Sequence, residues 1–195
     1  MLSPTIKLRY RLTIRDANGR VASRGRWRRS RSYVEQLTHQ LLGKFSNVDV
    51  TIKDTGGTSR TYDVSNSASS MYSLNQATNA LMGLVVGTGS TAVDISDYAL
   101  GTQIAHGTGS GQMEYAAGAY SAHQVSGQTA QFTITRTFIN SSGASITINE
   151  VGIYNSCHDG VAWRYYLIVR DVVSGGQAVA NGQSATLEYT ISVTA

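Results

Sequence analysis

A few groups of side chains have the types and spacing to do chemistry. Asp54-Thr55-Gly56 matches the tripeptide that carries the catalytic carboxylate of aspartic proteases, in which two aspartates share one proton. One copy could act only across a dimer, and Lys53 stands where an apolar approach strand is needed. The tripeptide also falls where a hairpin must reverse, so a turn-forming Asp54 is the favoured reading; a dimeric carboxylate site is the enzymatic alternative. Gly87-Thr88-Gly89-Ser90-Thr91-Ala92 follows an apolar run, as a dinucleotide fingerprint does. However, Val93-Asp94-Ile95-Ser96-Asp97 does not open a helix, and residue 107 is Gly where an acid is required. The four histidines (39, 106, 123 and 158) lack metal-ligand spacing, and Cys157 is the only cysteine. Asp94, Asp97 and Glu114 are too sparse for an EF-hand loop. No catalytic residue, metal or cofactor is expected. The eleven Tyr and two Trp could form a sugar- or base-stacking platform, and a glycan-binding module is the alternative binding reading.

Charge is the stronger signal. The net charge is only +4, yet residues 1–45 carry eleven basic side chains against Asp16 and Glu35, a local +9, while the remainder holds five bases against ten acids, −5. Such a split suits a segment that grips a polyanion or docks on an acidic protein. Thirteen of the sixteen bases are Arg, whose planar guanidinium pairs bidentately with carboxylate or phosphate. Arg9, Arg11, Arg15, Arg24, Arg26, Arg28 and Arg29 are the expected docking residues, with an acidic protein surface as the first partner and DNA as the second.

The elements that must position these residues are strands. Ser and Thr outnumber all charged residues, 43 to 28, in a chain of 195 with one Pro and 20 Gly, a balance that favours a strand-and-turn protein. No run approaches the roughly 18 apolar residues of a membrane span. Residues 1–7 lack the apolar block of a secretory signal, so a soluble, unsecreted protein with no membrane partner is expected. From Ile6 to Ile14 every second residue is apolar and the alternate face is Lys7, Arg9, Arg11, Thr13 and Arg15, a half-buried strand with a cationic side. Asp16-Ala17-Asn18-Gly19 predicts a turn into a partner strand over residues 20–27. A helix is expected to start at Ser32, capped in a box with Glu35, to bury the stripe Val34, Leu37, Leu41, Leu42 and Phe45, and to end at Gly43. A hairpin over residues 48–64 follows, then a long loop or partner-contacting arm over 65–80 and a buried strand over 81–86. Strands at 131–139, 144–153, 163–173 and 184–193 are separated by Ser141-Ser142-Gly143, Gly175-Gly176 and Asn181-Gly182. The expected fold is mainly β: a jelly-roll-like β-sandwich with one N-terminal amphipathic helix. Residues 1–45 form a docking segment packed on a body of residues 46–195.

Several of these stretches resemble structural proteins of tailed bacteriophages. The run Leu84-Val85-Val86-Gly87-Thr88-Gly89-Ser90-Thr91-Ala92, then Asp97-Tyr98-Ala99-Leu100 and Ile104-Ala105-His106-Gly107, is similar to a segment common in that group. So is residues 135–144 leading to Ile148-Asn149-Glu150-Val151-Gly152-Ile153-Tyr154, and so is Ser30-Arg31-Ser32-Tyr33-Val34 ahead of the helix. The resemblance implies a β-rich building block of the virion: a tail, collar, fibre-adaptor or capsid-decoration subunit. Such a subunit would be assembled in the host cytoplasm and would contact capsid, portal or tail proteins, copies of itself and packaged DNA. It carries over no catalytic residue. Within the second stretch, Glu150 interrupts an apolar strand, and an ion pair with Arg136 across the hairpin is the expected reason.

Overall fold

The computed structural model describes residues 5–30, 32–65 and 73–195; residues 1–4, Arg31 and residues 66–72, which include much of the expected arm, lie outside the described residues. In chain order the elements are β1 (Thr5–Arg15), β2 (Val21–Arg24), β3 (Arg28–Ser30), α1 (Glu35–Ser46), β4 (Val50–Lys53), β5 (Ser59–Tyr62), β6 (Gly83–Gly87), β7 (Glu114–Tyr115), β8 (Ala119–Tyr120), β9 (Gln124–Ser126), β10 (Thr129–Ile139), β11 (Ile146–His158), β12 (Trp163–Val179) and β13 (Ser184–Thr194).

Two antiparallel sheets share one core. In the larger, β13 lies between β1 and β10 and pairs with each over eleven residues; β2 and β3 extend the β1 edge, and β7, β8 and β9 the β10 edge. Period-two patterning sends Leu8, Tyr10, Leu12 and Ile14 of β1 inward, together with Ala185, Leu187 and Tyr189 of β13. The smaller sheet, β12-β11-β6, packs Leu84, Val86, Ile148 and Leu167 into the same core. The other face of the smaller sheet also carries a cluster, in which Cys157 and Tyr166 meet Ile52 and Tyr62 of the β4-β5 hairpin. The fold is therefore mainly β, a β-sandwich with one helix among the described residues, as patterning predicts.

Residue 45 is not a boundary. β1 is an interior strand of the larger sheet and contributes four core side chains, so the basic segment is part of the body. Gly175 and Gly176 (φ +81° and +62°) do not end a strand either. They sit inside β12, where its register with β11 slips between Ile148 and Glu150, a bulge rather than a turn.

The helix departs furthest from expectation. It begins at Glu35 behind Val34, which offers no capping side chain, and runs past Gly43 to a left-handed Asn47 (φ 54°). Its buried residues are Gln36, Gln40 and Gly43. The Gln40 amide bonds reciprocally with Asn155 of β11, and Gln36 Nε2 donates to the Asp97 carbonyl. Gly43 fits because a Cβ there would press on Val64 and Val50. Leu42 and Phe45, placed inward by the sequence, face outward.

Candidate docking surface

The outer face of the larger sheet is built from the residues that alternate with the core. Along β10 and β13 it is a bed of small hydroxyls, with Thr129–Thr194, Thr133–Thr190 and Thr137–Thr186 joined Oγ1 to Oγ1 at 3.1, 2.8 and 3.0 Å. Along β1 it rises into cations. Arg9 lies directly opposite Arg29 of β3, a like-charge pairing that destabilises a sheet. Arg24 of β2 lies opposite Thr13. Arg11 forms a bidentate pair with Glu188 of β13 (Nε to Oε2 2.8 Å, Nη2 to Oε1 3.0 Å) and stacks 4.4 Å above the ring of Trp27, with Arg9 5.8 Å from the same ring.

Five of the seven expected docking arginines (9, 11, 15, 24 and 29) thus belong to the β1–β3 part of this sheet's outer side, although Arg15 also donates to the Gly19 carbonyl across the β1-β2 turn. Arg26 is exposed in the link between β2 and β3. Arg28 is the exception: it lies opposite Tyr10 on the inward-facing side and donates to the Ser174 carbonyl of β12 at 3.1 Å. Trp27 and Glu188 were not singled out by the sequence. A tryptophan flanked by Arg26 and Arg28 is a signal that could have pointed to the former.

Elsewhere part of the charge is neutralised internally. Among the described residues, ion pairs join Asp54 to Arg60, Asp97 and Glu150 to Arg170, Asp159 to Arg164, and Glu188 to Arg11. Among the described arginines of residues 1–45, only Arg11 has a carboxylate partner. The +9 of residues 1–45 therefore becomes, on the surface, a basic patch in which Arg11 has a carboxylate partner and the other described arginines form no ion pair.

The expected Arg136–Glu150 pair does not form, because the two side chains belong to different sheets. Glu150, fully buried, binds Arg170 of β12 (Oε2 to Nε 2.8 Å) and accepts the N–H groups of Gly89, Gly101 and Thr102 at 3.1, 2.9 and 2.7 Å. Arg170 also reaches Asp97 (2.8 Å) and the Thr91 hydroxyl (3.0 Å). Burial acts to lower its pKa, but the two carboxylates prevail and raise it. The glycine-rich run at 87–89 is thus a carboxylate cradle: a Cβ on Gly87 would stand 2.6 Å from Glu150 Oε1. Arg136, also fully buried, has no carboxylate. Its five hydrogen bonds go to the carbonyls of Gln76, Asn79, Met82, Leu84 and Ala116 at 2.5–3.0 Å, and its guanidinium lies 4.8 Å from the Tyr115 ring. Burial pushes its pKa down to about 10, against the opposing pull of Tyr115 and Tyr120. The described part of the expected arm, residues 73–80, is therefore held by Arg136 through Gln76 and Asn79.

The candidate chemical groups have structural roles. Asp54 accepts from the Gly56 and Thr58 N–H groups through Oδ1 and from Arg60 through Oδ2. Burial works against its charge, but these bonds prevail and hold its carboxyl below the usual range. Cys157 is buried against Tyr62 and Tyr166, and burial pushes its thiol up to about 12, so it stays protonated rather than nucleophilic. Among the described residues no cluster of three or more His, Cys, Asp or Glu could hold a metal ion, and no helix is long and apolar enough to cross a membrane.

A depressed carboxyl pKa stabilises the fold above the unfolded value and loses that contribution as pH falls through the folded one. Asp159, held low by the Ala162 N–H and Arg164, has the same sign as Asp54. Urea-unfolding stability should therefore be flat near neutrality and fall below about pH 4, with a shallower fall in Asp54→Asn. An unchanged acid limb in that variant would contradict the assignment.

Comparison of the chain with protein-family models, with curated proteins and with solved structures finds no match in any of the three.

Proposed function

We propose that the chain is a structural subunit of a tailed-bacteriophage particle, in the tail, collar, fibre adaptor or capsid decoration, acting through repeated protein–protein contacts. The observation that carries this reading is the β1–β3 patch. Arg9 and Arg29 are held face to face at a cost in stability, while Asp54, Asp97, Glu150 and Asp159 are engaged in ion pairs remote from this patch. A charge arrangement that costs the monomer and is left unneutralised by it suits an acidic neighbour. The phage-like stretches fit the same picture, since Glu150 accepts the Gly89 N–H from another of them and those of Gly101 and Thr102 beside them, tying loops to strands.

Mass spectrometry of purified particles produced by a genome carrying this reading frame is expected to find the chain at a fixed copy number. An Arg9→Glu/Arg29→Glu variant should fold and yet be incorporated at least about tenfold less well, as expected for charged contacts at an interface. Its absence from particles, or undiminished incorporation of the variant, would refute the reading. Packaged DNA as partner is distinguished by a duplex-binding salt series: affinity falling linearly in log salt, by about 0.9 per phosphate neutralised, would assign the patch to DNA. Replacing Arg29 alone with Ser should raise stability by about 0.2–1 kcal/mol by relieving the like-charge pair, as urea denaturation would show.

A further inference from the structure

Helix α1 is amphipathic in the inverted sense. Gln36, Gln40 and Gly43 are buried on the smaller sheet, while Leu42 and Phe45 point away from it and Leu37 and Leu41, half-buried, lie on one flank between the two sides. Phe45 is 86% exposed and Leu42 57%. A helix that buries glutamines and presents leucine and phenylalanine to solvent is costly for a lone molecule and marks a contact surface. Leu37 also lines an open apolar cavity of about 490 Å³ between the sheets, together with Leu8, Phe132, Ile134 and Ile191.

We propose that this face is an interface between two copies of the chain, paired antiparallel about a two-fold axis near Leu41; the inference extends the reading of the chain as a repeated subunit. Two observations single out a second copy. Leu37, Leu41 and Phe45 are evenly spaced at four residues, so a two-fold axis at Leu41 lays the partner's Phe45 over Leu37 at the cavity mouth. The molecule thus supplies both the knob and the hole, and the contact is made twice, as an isologous interface requires. The helix also starts acidic at Glu35 and ends basic at Lys44, so antiparallel pairing sets unlike ends together and opposes the two helix dipoles.

Sedimentation equilibrium of the purified protein tests the inference. A dimer is expected at tens of micromolar, and Phe45→Ser should raise its Kd about tenfold or more with an unchanged melting temperature, since an aromatic seated in a pocket of the partner is the expected hot spot. In a second arm, Leu41→Cys should form an intermolecular disulfide under mild oxidation far faster than Thr51→Cys on exposed β4; the buried Cys157 thiol does not compete. A wild-type monomer at 100 μM-scale concentrations (about ten times the working range), a dimer indifferent to Phe45→Ser, or equal cross-linking at residues 41 and 51 would each overturn it. None of these outcomes bears on the arginine patch, whose own test does not pass through α1.

Discussion

Glu150→Ala is expected to destabilise the protein by about 3–5 kcal/mol, the range for removing one partner of a buried ion pair. For a chain of this size that corresponds to a melting temperature lower by about 6–20 °C. The loss has two sources. Arg170 keeps Asp97 but loses its fully buried partner, and the N–H groups of Gly89, Gly101 and Thr102 lose their acceptor. The loops at 88–92 and 97–102 should loosen together, visible as faster amide exchange there while the β1-β13 ladder stays protected. A double-mutant cycle between Glu150 and Arg170 should show strong coupling, and one between Glu150 and Arg136 none beyond experimental error. A small effect of Glu150→Ala, or appreciable coupling to Arg136, would contradict this arrangement.

Arg136→Met should be comparably damaging, by about 3–5 kcal/mol, for a different physical reason. The guanidinium neutralises no acid. It is the hydrogen-bond donor for the carbonyls of Gln76, Asn79, Met82 and Leu84, and for that of Ala116 just past β7. Methionine fills a similar volume and leaves all five without their donor. Lysine keeps the charge but offers three donors from one nitrogen, so Arg136→Lys should recover only a minor part of the loss. Calorimetry reads the magnitude, and exchange at residues 82–87 reads the location. Near-complete rescue by lysine would show that charge, not the planar fork, is what the site requires.

The strands were legible because their patterning is strong. The complete alternation of β1, the Thr-rich face of β10 and the Asp-Thr-Gly-Gly reversal before β5 each specify their local structure with little help from the rest of the chain. Legibility ended where one local signal had two outcomes. Gly175-Gly176 reads equally as a turn or a bulge, and only pairing with β11 over both flanks makes it a bulge. In α1 the apolar stripe was correctly periodic, but period alone does not say which side meets the sheet. Asn155, 115 residues away, pairs with Gln40 and decides it. The ion pairs failed for the same reason: Glu150 has arginines available on β10 and on β12, and sheet membership, invisible in a single sequence, selects Arg170. Of the docking surface, the alternation gave Arg9, Arg11 and Arg15, whereas the inward turn of Arg28 and the Trp27 platform depend on the short β2 and β3 and their irregular link.

Docking of the proposed subunit through its β1–β3 arginines is tested most directly by symmetry-averaged cryo-electron microscopy of particles produced by a genome carrying this reading frame. Copies of the β-sandwich are expected in a closed symmetric arrangement, with Arg9, Arg24 and Arg29 against carboxylates of a neighbouring protein. The same face open to solvent in every copy, or no density for the chain in the particle, would contradict it.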